Sequence, residues 1–382
     1  MKKERRIAIV GTSQIKAMGV TEDQTLTDII FSVTRKVLDE TGITLEEVDA
    51  IVMASLDLMD GRSISDMVTS GASGGYRKNE IRVNEEGIYG AILAYLELLS
   101  GNGNIALVVS WGKMSEISVP IVTNLTFDPL FSRVLGLNEI SAHAIQAARY
   151  QFRYGVSREQ AAKVVAKNRR NAVKNQFAHL QEAVTISDVI NSSIMAWPLH
   201  ALDLPPYSDG GAALILATDR VATEITEAPA WIQGVGWSSD TYYMGDRDLS
   251  DLTSLKNAAQ KAYKLAGITD PYDQLDVAEI HDVTSFHELM AYEALGFCSP
   301  GKAGELVDQN ETDFRGRLPV NPSGGVLSSN PYAASGLIRL AEAALQIMGK
   351  AGQHQLAKVN IALAHGKTGI CEQGNCVFIL GK

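Results

Sequence analysis

Cysteine is scarce in this sequence, whose 382 residues include only Cys298, Cys371 and Cys376. An odd and sparse set argues against a disulfide framework, and the lack of a CxxC pair argues against a zinc site in this chain. Long hydrophobic runs are missing too, since no stretch approaches the roughly 20 apolar residues of a membrane helix. The apolar run Ile7–Val10 is too short for a signal peptide. We therefore expect a soluble, reduced, cytoplasmic protein with no membrane association and no bound metal.

An excess of positive charge is also absent. The 44 acidic and 34 basic residues give a net charge of −10. General nucleic-acid binding requires basic surface that replaces phosphate counterions, so we expect no nucleic-acid partner. One local basic run, Lys163 to Lys174, stands out in this acidic chain. It is typical of a solvated helix face, and a surface for phosphate groups is the alternative.

Strand-like and helix-like segments alternate along the chain. Short apolar runs such as Ile7–Gly11, Ile105–Ser110 and Ala212–Ala217 predict buried strands, with segments of helical spacing between them. This order predicts an α/β protein with a mostly parallel sheet. The second half, from Trp231 onward, repeats the order and indicates a duplication. Because ligands of such sheets bind at the carboxyl ends of strands, we expect the active site between the halves.

Helical segments such as Ala142–Tyr154 and Arg158–Lys174 interrupt the first half. We interpret them as a helical loop-domain insertion over about residues 118–205. The sequence thus predicts two domains, residues 1–225 with the insertion and residues 226–382.

Four segments together resemble the thiolase superfamily. They are GIYGAILAYLELLSGNGNIALVVSWGKMSE (87–116), YGVSREQAAKVVAKNRRNAVKNQFAH with PPYSDGGAALILA (154–179 and 205–217), AEIHDVTSFHELMAYEALGFCSPG (278–301) and LPVNPSGGVLSSNPYAASGLIRLAEAALQIMGKAG (318–352). Any one segment is a weak match, but all four in this order span most of the chain. The chain is similar to non-decarboxylating thiolases of the sterol-carrier-protein type and to archaeal-type acetyl-CoA acetyltransferases.

This resemblance implies a duplicated five-layer αβαβα fold and an enzyme that forms or cleaves carbon–carbon bonds in acyl-CoA thioesters. It implies coenzyme A as a substrate, with no bound cofactor, and a homodimer core. Many of these relatives work with a small partner subunit that carries a zinc ribbon and an OB fold, which would make a heterotetramer.

The nucleophile of the resembled family is missing. Usual thiolases hold the acyl group on a cysteine at the N-terminus of a buried helix, where the helix dipole lowers the thiol pKa. Alignment of Gly87 with the Gly of the usual Cys-x-Ser-Gly motif puts this place at Asn84, and no cysteine precedes residue 298. Asn84 could donate a hydrogen bond to a thioester carbonyl or cap the helix. Glu85, or Glu86 beside it, is a candidate base.

Three histidines match places that carry chemistry in the family. His281 ends a predicted strand, where relatives have a His or Asn that helps form an oxyanion hole. The alternative is a core histidine bonded to the backbone. His365 stands where usual thiolases have a second cysteine as acid–base, a role that histidine can fill near neutral pH. His143, in the insertion, resembles a histidine that reaches the active site of related acyltransferases.

Further candidates have stronger structural alternatives. Asn330 occupies the place of the His in Gly-His-Pro, which activates the nucleophile of many thiolases. Tyr332 is a candidate proton donor or a ring that packs on an aromatic substrate, and a buried core tyrosine is the alternative. Cys371 is a candidate displaced nucleophile, although such residues are more often small core fillers.

Candidates for binding the substrate and CoA come from two places. Gly324 and Gly325, in the NPSGG loop, could place amides near the thioester, although tight turns alone explain glycine there. Lys163 and Arg170, in the basic run, are candidates for the CoA phosphates.

The sequence leaves three functions open. The first is thiolytic cleavage of a 3-oxoacyl-CoA to two acyl-CoAs, with an aromatic substrate such as benzoylsuccinyl-CoA as an example. The second is CoA-independent retro-aldol cleavage of a 3-hydroxyacyl-CoA, which needs no acyl-enzyme. The third is a non-catalytic thiolase-like subunit. The presence of His281 and His365 favours the first.

Overall fold

The computed structural model describes residues 5–62 and 64–382, so the first four residues of the predicted first domain lie outside the described ranges. The strands are β1 (Ile7–Gln14), β2 (Ala50–Ala54), β3 (Asn79–Val83), β4 (Ile105–Lys113), β5 (Ile194–Ala196), β6 (Leu199–His200), β7 (Asp209–Thr218), β8 (Ala230–Ser239), β9 (Val277–Glu279), β10 (Ile361–Thr368) and β11 (Gly374–Gly381). The helices are α1 (Leu26–Thr41), α2 (Asp66–Ser73), α3 (Gly87–Ser100), α4 (Val119–Leu125), α5 (Glu139–Tyr154), α6 (Arg158–Ala172), α7 (Ile186–Asn191), α8 (Asp219–Ile225), α9 (Thr253–Ala266), α10 (Pro271–Gln274), α11 (Ser285–Ala294), α12 (Ala303–Asp308) and α13 (Ser335–Met348). Within these ranges, no helix is both long and apolar enough to cross a bilayer.

The strand order repeats between the two halves. Across the described residues, nine strands form one sheet in the order β3-β2-β4-β7-β1-β8-β11-β10-β9. In the first half, β2 and β4 are parallel, whereas β7 is antiparallel to β4 and to β1. In the second half, β9 and β10 are parallel, whereas β11 is antiparallel to β10 and to β8. This repetition is what a duplication predicts, and the halves join through antiparallel pairing of β1 with β8.

The prediction of a mostly parallel sheet is wrong, because the sheet is mixed. In each half the last strand reverses direction. β7 enters the sheet after the long insertion, and β11 follows β10 after a short turn, a connection that only antiparallel neighbours allow. The apolar runs of these strands identify burial but do not show direction.

Helices and sheet form five layers. α3 and α13 pack against each other in the centre and fill the space between the two halves of the sheet. α1 and α8 cover the outer face of the first half, and α9 and α11 cover that of the second. The predicted five-layer αβαβα arrangement is confirmed. Because α3 and α13 lie in the middle layer, both of their N-termini can face the same interior site.

The insertion between β4 and β7 contains α4 to α7 and the small β5–β6 pair. Its helix α6 is attached to the second half by buried polar contacts. The Lys167 ammonium donates to the Glu288 carboxylate, and Asn168 Nδ2 donates to Asp282 Oδ2 at 2.7 Å. Buried charges that are paired in this way hold two elements in one fixed orientation. The insertion is therefore held in place against the loop that follows β9.

Candidate active site

A pocket with a cavity volume of about 160 Å³ lies where the two halves meet the insertion. The first turn of α5, the entrance to α3 and the loops after β9 and β10 face it. Its lining residues are Leu56, Met59, Glu85, Glu86, Thr123, Thr126, Phe127, Glu139, Ala142, His143, His281, Val283, Asn330, Tyr332, Lys367, Thr368, Gly369, Ile370 and Cys371. The structure thus brings together His281, His143, Asn330, Tyr332, Cys371 and Glu85 of the predicted site.

The buried helix α3 begins at Gly87, three residues after the place that the sequence alignment gave to the nucleophile. Asn84 is exposed, does not line the pocket and accepts a hydrogen bond from the Asp57 amide at 2.8 Å. It therefore does not cap the helix, and that expectation is wrong. A Cβ atom on Gly87 would lie 2.7 Å from Cβ of Leu337 and of Ser110, so a side chain does not fit there.

Glu86 caps α3 instead. Its carboxylate accepts a hydrogen bond from the Ile88 amide at 3.1 Å and another from the Gly336 amide in the first turn of α13. The residue is 3% exposed, and burial raises the pKa of its carboxyl group to about 8, against the effect of these two hydrogen bonds. The helix terminus at the pocket therefore presents a carboxyl group in place of a thiol.

His281 and His143 are the two histidines of the pocket wall. Each is almost fully buried, and the Nδ1 atom of each has no hydrogen-bond partner in the protein. Burial lowers the pKa of both rings, and nearby Lys367 adds to this effect. His143 Nε2 lies 3.7 Å from a carboxylate oxygen of Glu139, while its ring packs edge-on against His287. Both residues line the pocket, and a neutral imidazole has one donor and one acceptor nitrogen for hydrogen bonding with a substrate.

His365 is turned away from the pocket. Its Nδ1 accepts a hydrogen bond from the His281 amide at 3.3 Å, and its Nε2 donates to Asn375 Oδ1 at 2.8 Å. Both nitrogens are thus occupied, the residue has no exposed surface, and burial lowers its pKa to about 4. In this arrangement His365 supports the backbone of His281 and is not placed to exchange protons with a substrate.

Lys367 and Glu139 form a charged pair that the sequence did not reveal. Lys367 Nζ lies 3.5 Å from Glu139 Oε1, and Tyr332 hydrogen bonds to the same carboxylate. Burial alone would favour the neutral acid, but Lys367 and His143 lower the pKa of Glu139 to about 2. Glu139 begins a helix, where an acidic residue is expected for the dipole alone. The only signal for Lys367 in the sequence is its place two residues after the candidate His365.

Cys371 and Asn330 also line the pocket. Cys371 packs with Phe127 and Ala142, and burial raises its thiol pKa to about 12. Asn330 accepts a hydrogen bond from the Ser335 hydroxyl at 2.8 Å at the start of α13. Its position beside the pocket leaves the amide NH₂ as its donor toward a ligand.

The four candidates for substrate and CoA binding lie outside the pocket lining. Lys163 pairs with Asp308 at 2.7 Å and Arg170 with Asp313 at 2.9 Å, so both contact the second half of the chain. Gly324 and Gly325 have positive φ angles of 102° and 68°, which require glycine at these turns. A side chain on Gly325 would overlap the Asp282 carboxylate. Local packing accounts for all four residues.

Sequence comparisons agree with this architecture. A family model described as thiolase C-terminal domain-like matches residues 236–382. An acetyl-CoA acetyltransferase from Methanothermobacter thermautotrophicus is 31% identical over 376 residues, which cover 96% of this chain and 97% of the relative. The benzoylsuccinyl-CoA thiolase subunit BbsB from Thauera aromatica is 28% identical over 236 residues, which cover 61% of each protein.

Solved structures share the fold. The Ltp2-ChsH2(DUF35) aldolase superimposes with a TM-score of 0.84 at 22% identity, covering 98% of this chain and 97% of that one. Human mitochondrial 3-ketoacyl-CoA thiolase in complex with CoA gives a TM-score of 0.75 at 15% identity, covering 99% and 98%. Since the 31% identity to the acetyltransferase extends over nearly the full length of both proteins, this chain belongs to the thiolase superfamily and is an enzyme of the acyltransferase type.

Proposed function

We propose that this chain catalyses the thiolysis of a 3-oxoacyl-CoA to two acyl-CoAs, or the reverse condensation. The observation that carries the proposal is the convergence of His281, His143 and the Glu86 carboxyl group in one buried pocket. Thiolysis breaks the C2–C3 bond, and the electron pair forms the enolate of the departing acyl-CoA. An enolate oxygen is stabilised by fixed hydrogen-bond donors in a site of low dielectric constant.

His281 is suited to hold that oxygen. Its ring is neutral, since burial keeps its pKa well below the usual range, and it therefore carries one N–H donor. His143 offers a second neutral ring on the same wall. His365 fixes the backbone of His281 through the 3.3 Å hydrogen bond, which limits movement of the donor.

We propose that the thiol of CoA accepts the acyl group directly. Gly87, at the start of α3, has neither a side chain nor room for one, so no acyl-cysteine can form there. Cys371 is the alternative acceptor on the pocket wall. Its pKa of about 12 leaves almost no thiolate near neutral pH, and the thiolate is the nucleophilic form.

Replacement of Cys371 with serine is therefore expected to change kcat less than about threefold, since a thiol with so little thiolate is a poor nucleophile. Steady-state thiolysis would measure this, with Cys298→Ser as a matched control outside the pocket. Mass spectrometry of intact, acid-quenched enzyme would detect an acyl adduct. An adduct that is present in the wild type and lost in C371S, together with loss of activity, would make Cys371 the acceptor.

We further propose a bulky acyl group, with an aromatic one such as benzoylsuccinyl as the leading candidate. The match to the benzoylsuccinyl-CoA thiolase subunit supports this. The apolar part of the lining, which includes Met59, Phe127 and Ile370, supports it as well, because such side chains pack against a ring. Tyr332 adds an aromatic face to the same pocket.

The second candidate function is retro-aldol cleavage of a 3-hydroxyacyl-CoA. Two observations favour it: α3 presents no thiol, and the aldolase structure superimposes on nearly the whole chain. A non-catalytic role has less support, because His281 and His143 line a formed pocket.

We also propose that the active unit is a homodimer joined by a small partner subunit. The support is that one relative is described as a subunit and that one structural neighbour is a complex of two named components. The assay below is therefore to be run with and without the co-expressed product of any neighbouring gene.

The deciding experiment offers the purified protein 3-oxoacyl-CoA and 3-hydroxyacyl-CoA esters, each with and without free CoA, and identifies the products by mass spectrometry. Aromatic and short straight-chain esters are included in both sets. We expect cleavage of oxo esters with consumption of one CoA per turnover. Cleavage of hydroxy esters without CoA would replace thiolysis with the aldol reaction.

A further inference from the structure

We propose that Glu86 is the acid–base residue of this site, and that it carries one proton between the incoming nucleophile and C2 of the departing acyl-CoA. The inference rests on the proposed carbon–carbon cleavage. It assigns the proton transfer to a residue that occupies the helix terminus where the thiol of usual thiolases would be expected.

Backbone amides from both halves of the chain hold the Glu86 side chain in place. Its carboxylate accepts from the second residue of α3, Ile88, and from the second residue of α13, Gly336. The positive ends of two central helices thus hold one carboxylate. Gly336 and Gly366 leave the space that it fills, since a Cβ atom on either would press against its oxygens. Glu86 is thus held in one position, and it is one of the residues that line the pocket.

The other carboxyl groups of the pocket are less suited to proton transfer. Glu139 is paired with Lys367 and remains ionised because its pKa is about 2. Glu85 is only half-buried, and its carboxylate is bonded by the Thr368 hydroxyl. Glu86, in contrast, is nearly fully buried and has a pKa of about 8, close to that of a thiol, so both of its protonation states are accessible.

Charged and titratable groups face Glu86 from each neighbouring element. Lys367 of β10 favours its ionised form, whereas Glu85, before α3, favours the neutral acid. Tyr89 of α3 and Cys376 of β11 are buried groups whose pKa values are raised, so they stay neutral beside it. Burial remains the largest influence on its pKa, and the base is ionised above about pH 8.

The proposed step is balanced with one proton. Ionised Glu86 takes the proton from the CoA thiol, and the sulfur attacks the C3 carbonyl carbon as a thiolate. The C2–C3 bond then breaks, its electron pair moves to C2, and the new acyl thioester forms at C3. Protonated Glu86 returns its proton to C2, which yields the second acyl-CoA and restores the carboxylate. In the aldol reaction the first proton would come from the C3 hydroxyl group.

The test is exchange of the C2 protons of acetyl-CoA and propionyl-CoA with D₂O, followed by mass spectrometry, because exchange needs the base but no cleavage. We expect wild-type exchange that rises with pH to a plateau above about pH 8 and is at least about 100-fold slower in Glu86→Gln. Glu86→Asp keeps a carboxyl group and is expected to retain part of the rate with a shifted pH profile. Asp28→Asn, which removes a capping carboxylate far from the pocket, is the matched control.

Absence of exchange by the wild type, or unchanged exchange in folded E86Q, would overturn the assignment. If E86Q does not fold, E86D is the test instead. An E86D variant with the same pH profile as the wild type would then overturn the assignment of Glu86. A wild type that exchanges protons but cleaves no oxo ester would overturn the proposed thiolysis and leave the role of Glu86 intact.

Discussion

Replacement of His281 with alanine is expected to lower kcat by about 10²–10³-fold, the usual effect of removing one donor to a developing oxyanion. The residue is 3% exposed, lies just after β9 and lines the pocket, and burial lowers the pKa of its ring so that the ring is neutral. In the proposed reaction its hydrogen bond strengthens as charge develops on the thioester oxygen. The loss should therefore appear in kcat, with a small change in KM.

His281→Asn is the matched control for this prediction. Asparagine keeps an N–H donor, and relatives of this superfamily are expected to have it at this place, so H281N should retain much more activity than H281A. Thermal unfolding of both variants would exclude a general loss of structure. Equal activity of H281A and the wild type would remove His281 from the catalytic site.

Replacement of Arg339 with methionine is expected to destabilise the protein by about 3–5 kcal/mol, because it leaves a buried carboxylate without its partner. Arg339 lies in α13 and donates to Glu279 Oε2 and to the Ser323 hydroxyl, both at 2.6 Å. The arginine is 2% exposed and the glutamate is fully buried. Urea unfolding would show the loss as a lower midpoint.

The double variant Arg339→Met with Glu279→Gln tests the cause of that loss. It removes both charges, so it should recover most of the stability if the unpaired carboxylate is responsible. A double variant no more stable than R339M would instead show that the arginine acts through packing and the Ser323 contact. The pair connects α13 to β9.

The strands could be predicted from the sequence because a short run of apolar residues is by itself enough to indicate a buried strand. The segment Ile105–Ser110 became the core of β4, and Ala212–Ala217 that of β7. The sequence did not predict strand direction, because the hydrogen bonds that define it join distant segments. The α/β fold was therefore predicted correctly, but several strand pairs expected to be parallel are antiparallel.

The site shows the same division between local and distant information. His281 was identified because it ends a strand within a matching motif, and it does line the pocket. The cap of α3 was expected at Asn84 but is Glu86, because glutamate is not among the usual N-cap residues. The occupied nitrogens of His365 depend on Asn375 and on the His281 backbone, contacts that no local pattern contains.

The placement of β1 has a consequence for how this protein is made. β1 lies between β7 and β8 in the finished sheet, but β7 begins at residue 209, 195 positions after β1 ends at residue 14. At a synthesis rate of roughly 5–20 residues per second, roughly 10–40 s pass between synthesis of β1 and synthesis of β7, its first neighbour in the sheet. During this time the backbone N–H and C=O groups of β1 are unpaired. Unpaired strand edges attract other chains during such an interval. Expression of residues 5–225 alone would leave the β8 side of this strand open, so the two halves are best produced as one polypeptide.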